Sequence, residues 1–337
     1  MKKKTILIML LSVIFILLVM GSYVTWNRLD PAYTCARCHE ISPSYEKWTA
    51  SAHAEVKCIE CHGTALSNGI QSISDKTGMV LTHFTENTYN DDIHLTEAQI
   101  LAISDNCAKC HRAEHAGWLA GGHAVNYKEI FMDSVHNKME KPYWDCFRCH
   151  GMFYDGNIHD LMTLEGSHTE WKIKDEKQKS RPTVPCIACH QMHTPNPVSE
   201  RYVSMTDQTR MTIERNPKTA LYLRSDKKHL RSDMFTKMTM YDENGQPVET
   251  AGDPATLLCQ QCHAPDYARR IASEDDRTVT GVHVGISCIA CHSPHSGETK
   301  QSCLQCHPSL TDEEIKLVYE NPHNFQLEIA SVPKATH

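Results

Sequence analysis

The chain has 337 residues, a formal net charge of −7 and 16 cysteines. The acidic balance excludes the basic footprint of a nucleic-acid-binding protein. Hydrophobic residues make up 40% but Phe only 7 positions, so an ordinary aromatic-rich core does not account for what the chain buries.

Lys2, Lys3 and Lys4 open an apolar run from Ile6 to Met20 that continues more weakly through Tyr23, Val24 and Trp26. From Ile6 to Val24 it holds 19 residues, close to the roughly 20 that a helix needs to cross a bilayer. The lysines stay cytoplasmic by the positive-inside rule, which exports the rest, and Trp26 suits the far interface. Residues 1–27 are therefore read as a transmembrane anchor with the remaining chain on the periplasmic side. The alternative is a cleaved signal peptide, for which Gly21-Ser22 is a weak cleavage site.

Asp30-Pro31 and Asp253-Pro254 pair a favoured N-cap with Pro at the first helical position, predicting short helices that run into Cys35 and Cys259. Thr96 with Gln99 predicts a capping box that opens a helix to Asn106, and Thr311 with Glu314 does the same for a terminal helix. In the long motif-free stretch, about 195–255, Asn244-Gly245 predicts a small β-hairpin near 238–249. The expected fold class is mostly α with much irregular chain: a domain over 28–310, then a terminal helix and tail over 311–337.

Every cysteine belongs to a C-x-x-C-H run: Cys35/Cys38, Cys58/Cys61, Cys107/Cys110, Cys146/Cys149, Cys186/Cys189, Cys259/Cys262, Cys288/Cys291 and Cys303/Cys306. The histidines that follow are His39, His62, His111, His150, His190, His263, His292 and His307. This is the c-type haem attachment signature. Two cysteines three residues apart sit on one turn and form thioethers to one edge of a porphyrin, and the next residue is carried under the ring as proximal iron ligand. A zinc ribbon or redox dithiol would account for one such run, not for eight that use all 16 cysteines. Eight covalent haems are expected, around which the chain folds. Spacings between first cysteines are 23, 49, 39, 40, 73, 29 and 15, so the motifs do not form a solenoid.

The sixth ligand decides what each iron can do: a second histidine makes an electron carrier, whereas an open position admits substrate. Beyond the proximal eight, 14 histidines remain. His53, His123, His193, His283 and His295 stand in duplicated contexts. Trp48 to Ala54 and Trp118 to Ala124 share W-x-A-small-small-H-A, His53 and His283 each precede the next motif by five residues, and Cys186 to His193 and Cys288 to His295 share C-I-A-C-H-x-x-H. His136, His168 and His229 complete the expected distal set. His83, His94, His115, His159, His323 and His337 are left outside it. No motif ends in Lys, although Lys227 or Lys228 could reach an iron from elsewhere.

The anchor, the first two motifs and Trp48 to Ala54 resemble the start of the NapC/NirT/NrfH membrane-anchored family over about 65 residues. That resemblance implies a quinol dehydrogenase, but the family pattern places a haem-ligating Met where this chain has Ile41. The W-x4-H-A repeats and Gly281 to Cys303 resemble the cytochrome c554 and hydroxylamine oxidoreductase superfamily, which implies its octahaem branch. Two functions follow as expectations. The first is electron transfer from the quinol pool or a membrane donor to an exported redox partner. The second is an octahaem enzyme reducing nitrite, hydroxylamine or a sulfur oxyanion at one haem without a second histidine, with Arg210, Arg215, Arg224 and Arg231 steering the anion.

Overall fold

The computed structural model describes residues 2–67, 70–85, 95–133, 144–165, 170–193, 199–203, 210–214, 219–235, 237, 239–241, 246–263, 285–297, 304–305 and 307–315. It is mostly helical with much irregular chain, as expected. Two compact units form, one from Met1–Leu95 with Met192–Asn196, the other from Thr96–Gln191 with Pro197–His337.

The first unit begins with α1 (Lys2–Arg28). Its apolar side chains are exposed along its length, so its stability depends on an apolar surrounding rather than on packing. The Asp30-Pro31 signal yields a 3₁₀ turn over Pro31–Tyr33, not an α-helix, with Asp30 accepting from the Ala32 N–H at 2.8 Å. Helices α2 (Ser42–Thr49), α3 (Cys58–His62) and α4 (Ile70–Thr85) follow. Tyr23 of α1 donates to Thr64 Oγ1 at 2.7 Å and ties the apolar helix to the loop before α4.

In the second unit, α5 (Glu97–Cys107) starts with the predicted capping box between Thr96 and Gln99 and delivers Cys107. Helices α6 (Arg112–Ala120), α7 (Tyr127–Phe131) and α8 (Ile158–Leu161) lead to an antiparallel pair, β1 (Met162–Glu165) with β2 (Glu170–Ile173). A compact apolar core forms here from Tyr127, Phe131, Phe147, Leu161, Trp171 and their neighbours. Glu97 is 2% exposed beneath it, holding the Tyr127 hydroxyl and the Arg181 guanidinium.

The motif-free stretch contains three antiparallel pairs: β3 (Ser199–Val203) with β4 (Arg210–Glu214), β5 (Ala220–Leu223) with β6 (Lys228–Arg231), and β7 (Met240–Tyr241) with β8 (Pro247–Val248). Only the last was expected, and its Asn244-Gly245 turn lies outside the described residues. Helix α9 (Pro254–Cys259) is capped by Asp253, which accepts from Ala255 and Thr256 N–H at 3.1 Å, and ends on Cys259 as predicted. Helix α10 (Cys288–Cys291) is itself a haem motif. Thr311 and Glu314 form the reciprocal cap of a helix over 312–315.

Candidate haem-binding sites

The motifs are single turns of chain. The histidine N–H returns to the first cysteine's carbonyl at 2.8 Å for His111, 3.2 Å for His150, 3.0 Å for His190, 2.8 Å for His263 and 2.9 Å for His292. Each turn puts both cysteines on one side and hands the imidazole to the next position. Cys303 and Cys306 of the eighth motif lie outside the described residues, while His307 is within them.

In the second unit, cysteines of different motifs touch. Hydrogen bonding to Cys107 brings the Cys186 thiol down to about 7. Hydrogen bonding to Cys259 brings Cys288 to about 7, while Cys259 itself is pushed up. The Cys262 thiol is raised chiefly by its bond to Cys149. The attachment points of the third and fifth motifs therefore adjoin, as do those of the fourth and sixth and of the sixth and seventh.

Cys61 and Cys110 differ in their exposure. Cys61 lies half-buried in the last turn of α3, beside Cys58 of its own motif. The Cys58 thiol is raised by burial, then by Cys35 of the first motif, with Cys61 adding less. Cys110 is the one exposed cysteine among the described residues. Helix α5 has already ended at Cys107, and the turn that follows carries Cys110 to the surface with its N–H on the Cys107 carbonyl at 3.1 Å. Motif spacing is what supports Cys61 and Cys110 as attachment points of the second and third haems.

The W-x-A-small-small-H-A repeats adopt one conformation. Trp48 and Trp118 donate their indole N–H to the Val56 and Val184 carbonyls at 3.1 and 2.9 Å. Ser51 and Gly121 N–H return to those tryptophans' carbonyls at 2.9 and 3.0 Å, and Ala54 and Ala124 N–H then bond Ser51 and Gly121 at 3.2 and 3.3 Å. His53 and His123 thus project from equivalent turns.

Three of the expected distal histidines face a proximal histidine. His193 stacks on His62 with ring centroids 6.0 Å apart, and both lie in the first unit. In the second unit, His123 faces His263 at 6.0 Å and His295 stacks on His190 at 6.1 Å. Two imidazoles bound trans to one metal, with metal–nitrogen bonds of about 2.0–2.1 Å as for zinc and each nitrogen about 1.1 Å from its ring centre, would hold centroids roughly 6 Å apart. The separations of the three pairs match that spacing. Desolvation of the ring pushes His62 down to about 4, with His193 beside it adding to the effect, although the residue as a whole is exposed, which weakens the shift. Burial also lowers His193, with Lys47 adding to it, and lowers His123, helped by His263 and opposed by a bond to the Pro294 carbonyl. Each of these shifts favours the neutral imidazole, the form that binds metals.

The other expected positions fare differently. His229 Nε2 lies 2.6 Å from the Ile187 carbonyl and its ring meets Tyr222 edge-on, so it is held by protein groups. His136, His168 and His283 lie outside the described residues. Arg224 is engaged: its guanidinium binds the Tyr154 and Gly156 carbonyls and lies 4.8 Å over the Phe147 ring. Arg231 pairs with Asp233, Arg215 lies outside the described residues, and Lys227 and Lys228 are exposed at the β5–β6 turn. Sequence reasoning passed over His83, which the fold brings 5.3 Å from His39 by ring centroids.

Residues 31–201, just over half of the chain, match the family described as outer membrane cytochrome MtrC/MtrF-like, domains II/IV. The chain belongs to this MtrC/MtrF-like family. It is also similar to cytochrome c-type protein NrfH of Wolinella succinogenes, 32% identical over 103 residues, which cover 29% of this chain and 57% of that protein. Similarity to cytochrome c-type protein ImcH of Geobacter sulfurreducens is 30% over 120 residues, covering 32% of this chain and 22% of that one. The chain thus spans little more than half of the first relative and about a fifth of the second. No solved structure matches it. Motifs, MtrC/MtrF-like match and relatives agree on a multihaem c-type cytochrome of electron transport.

Proposed function

We propose that this is a membrane-anchored octahaem cytochrome that carries electrons from the quinol pool, or a membrane donor, to an exported redox partner. The observation that carries this reading is the trio of histidine pairs at 6.0–6.1 Å. Bound haems supply one-electron carriage, and two strong imidazole ligands keep the iron low-spin and closed to substrate. Cys35 through Cys306 attach the eight groups, with the eight motif histidines as proximal ligands. His53, His123, His136, His168, His193, His283 and His295 serve as sixth ligands. His229 could join them only through Nδ1 or by releasing Ile187.

Helix α1 crosses the membrane in this reading, with Lys2, Lys3 and Lys4 cytoplasmic and the motifs on the exported side. Trp26 and Cys35 are nine residues apart, so the first motif sits within about 30 Å of the interface even when extended. Engagement of Arg224 and Arg231 weakens the alternative in which these arginines guide an anion to an open iron.

Electron paramagnetic resonance of the oxidised chain, paired with reduction by a quinol analogue in lipid nanodiscs, tests the proposal. The expected result is low-spin signals unaltered by nitrite or sulfite, and haem reduction by the quinol. A high-spin signal that shifts on adding either anion would instead establish the octahaem enzyme. Absence of quinol-driven reduction would leave a membrane protein as donor.

A further inference from the structure

The last turn of α4 carries His83 to the first haem motif, within the first unit. Its Nδ1 lies 2.6 Å from Oε1 of Glu40, the residue next to proximal His39. The Glu40 side chain is 6% exposed, so this bond is shielded from water. Cys38 Sγ, a Glu40 carboxylate oxygen and a His83 ring nitrogen lie within 4.8 Å of one another. A second imidazole is thus held at the first attachment site by a segment 43 residues further along the chain.

We propose that His83 is the sixth ligand of the first haem and that Glu40 is its positioning residue. The His39–His83 pair is closer than His62–His193, His263–His123 and His190–His295, and differs from them in having Glu40 Oε1 close to both rings. A carboxylate on Nδ1 fixes the proton there, leaves the Nε2 lone pair for a metal and raises its basicity. At 5.3 Å and 45°, the rings are 0.7 Å closer than the 6.0 Å of His62–His193. Iron between them therefore requires that small separation. It also requires the Glu40 oxygen, now 3.5 Å from His39 Nε2, to retreat from His39 while keeping His83. His83 then fills the place in the sixth-ligand set that His229, engaged by Ile187, leaves open. The inference rests on the electron-carrier reading and sharpens it. With both faces of the first iron occupied, a donor delivers its electron to the porphyrin edge, and no bond to iron forms or breaks.

The test uses the full, haem-loaded chain. His83→Ala should convert one haem from low to high spin, and the reduced protein should gain one equivalent of bound carbon monoxide. His83→Met should keep that haem low-spin while raising its potential, as a Met/His ligand pair does, and it serves if the alanine variant does not assemble. Glu40→Gln should retain the low-spin centre but raise the same potential, because a neutral partner lowers imidazole basicity. Unchanged spin state and potentials in both His83 variants overturn the proposal, as does a wild-type high-spin centre indifferent to His83. Quinol-driven reduction of the wild-type chain is read separately, so failure of the donor reading leaves the spin result standing.

Discussion

Gly121 stands where only hydrogen fits. A Cβ there would lie 2.4 Å from the His295 carbonyl oxygen and 3.1 Å from Ser296 Cα, both backbone atoms that cannot swing aside. Gly121→Ala should therefore push His295 from His190, converting one haem to high spin and lowering stability by about 1–3 kcal/mol, the usual cost of overpacking. Normal low-spin spectra with an unchanged melting temperature would show that the close approach is dispensable. The small residues in W-x-A-small-small-H-A were legible as a pattern before their cause was. His123 and His295 could be picked out from duplicated contexts because each histidine travels with its turn. His83 could not, because its partner Glu40 is 43 residues away and neither residue belongs to a repeat. Ile41 bore on the quinol-oxidising role, and gave no pointer to His83.

Elements whose ends are written in adjacent residues were readable, and those made by distant pairing were not. Thr96 with Gln99, Asp253 with Pro254 and Thr311 with Glu314 each satisfy the first free N–H groups of a helix from within four residues. The β5–β6 turn gives no such notice, for it places Lys227 at φ 51°, a left-handed conformation that usually advertises itself as Gly or Asn. Nor does composition reveal the core around Phe147, since it concentrates few aromatics into one small region. That core is braced by Glu97, whose charge and hydrogen bond, after burial, push the Tyr127 phenol far above its ordinary range, so Tyr127 acts only as donor. Arg181→Ala would leave the Glu97 carboxylate buried without its cation at a cost of about 3 kcal/mol. Tyr127→Phe, removing one donor, should cost about 1–2 kcal/mol. Thermal unfolding followed by far-ultraviolet circular dichroism ranks the two, and a larger loss in the phenylalanine variant would refute the assignment.

At the scale of the whole molecule, α1 is a helix long and apolar enough to cross a membrane. Its 27 residues span about 40 Å at 1.5 Å each, against a hydrocarbon thickness of about 30 Å. Washing membranes with alkaline carbonate should leave the chain in the pellet, and recovery of a full-length chain in the supernatant would exclude a spanning α1. Tyr23 lies five residues before Arg28, about 7.5 Å down the helix. Its bond to Thr64 therefore holds the loop before α4 against the C-terminal part of this helix. A chain hung on one flexible stalk would sample a hemisphere of orientations. If α1 spans a bilayer as proposed, a second tie at Thr64 narrows the orientations of the first unit, and a membrane donor would meet it at an effective concentration set by the bilayer rather than by the surrounding water.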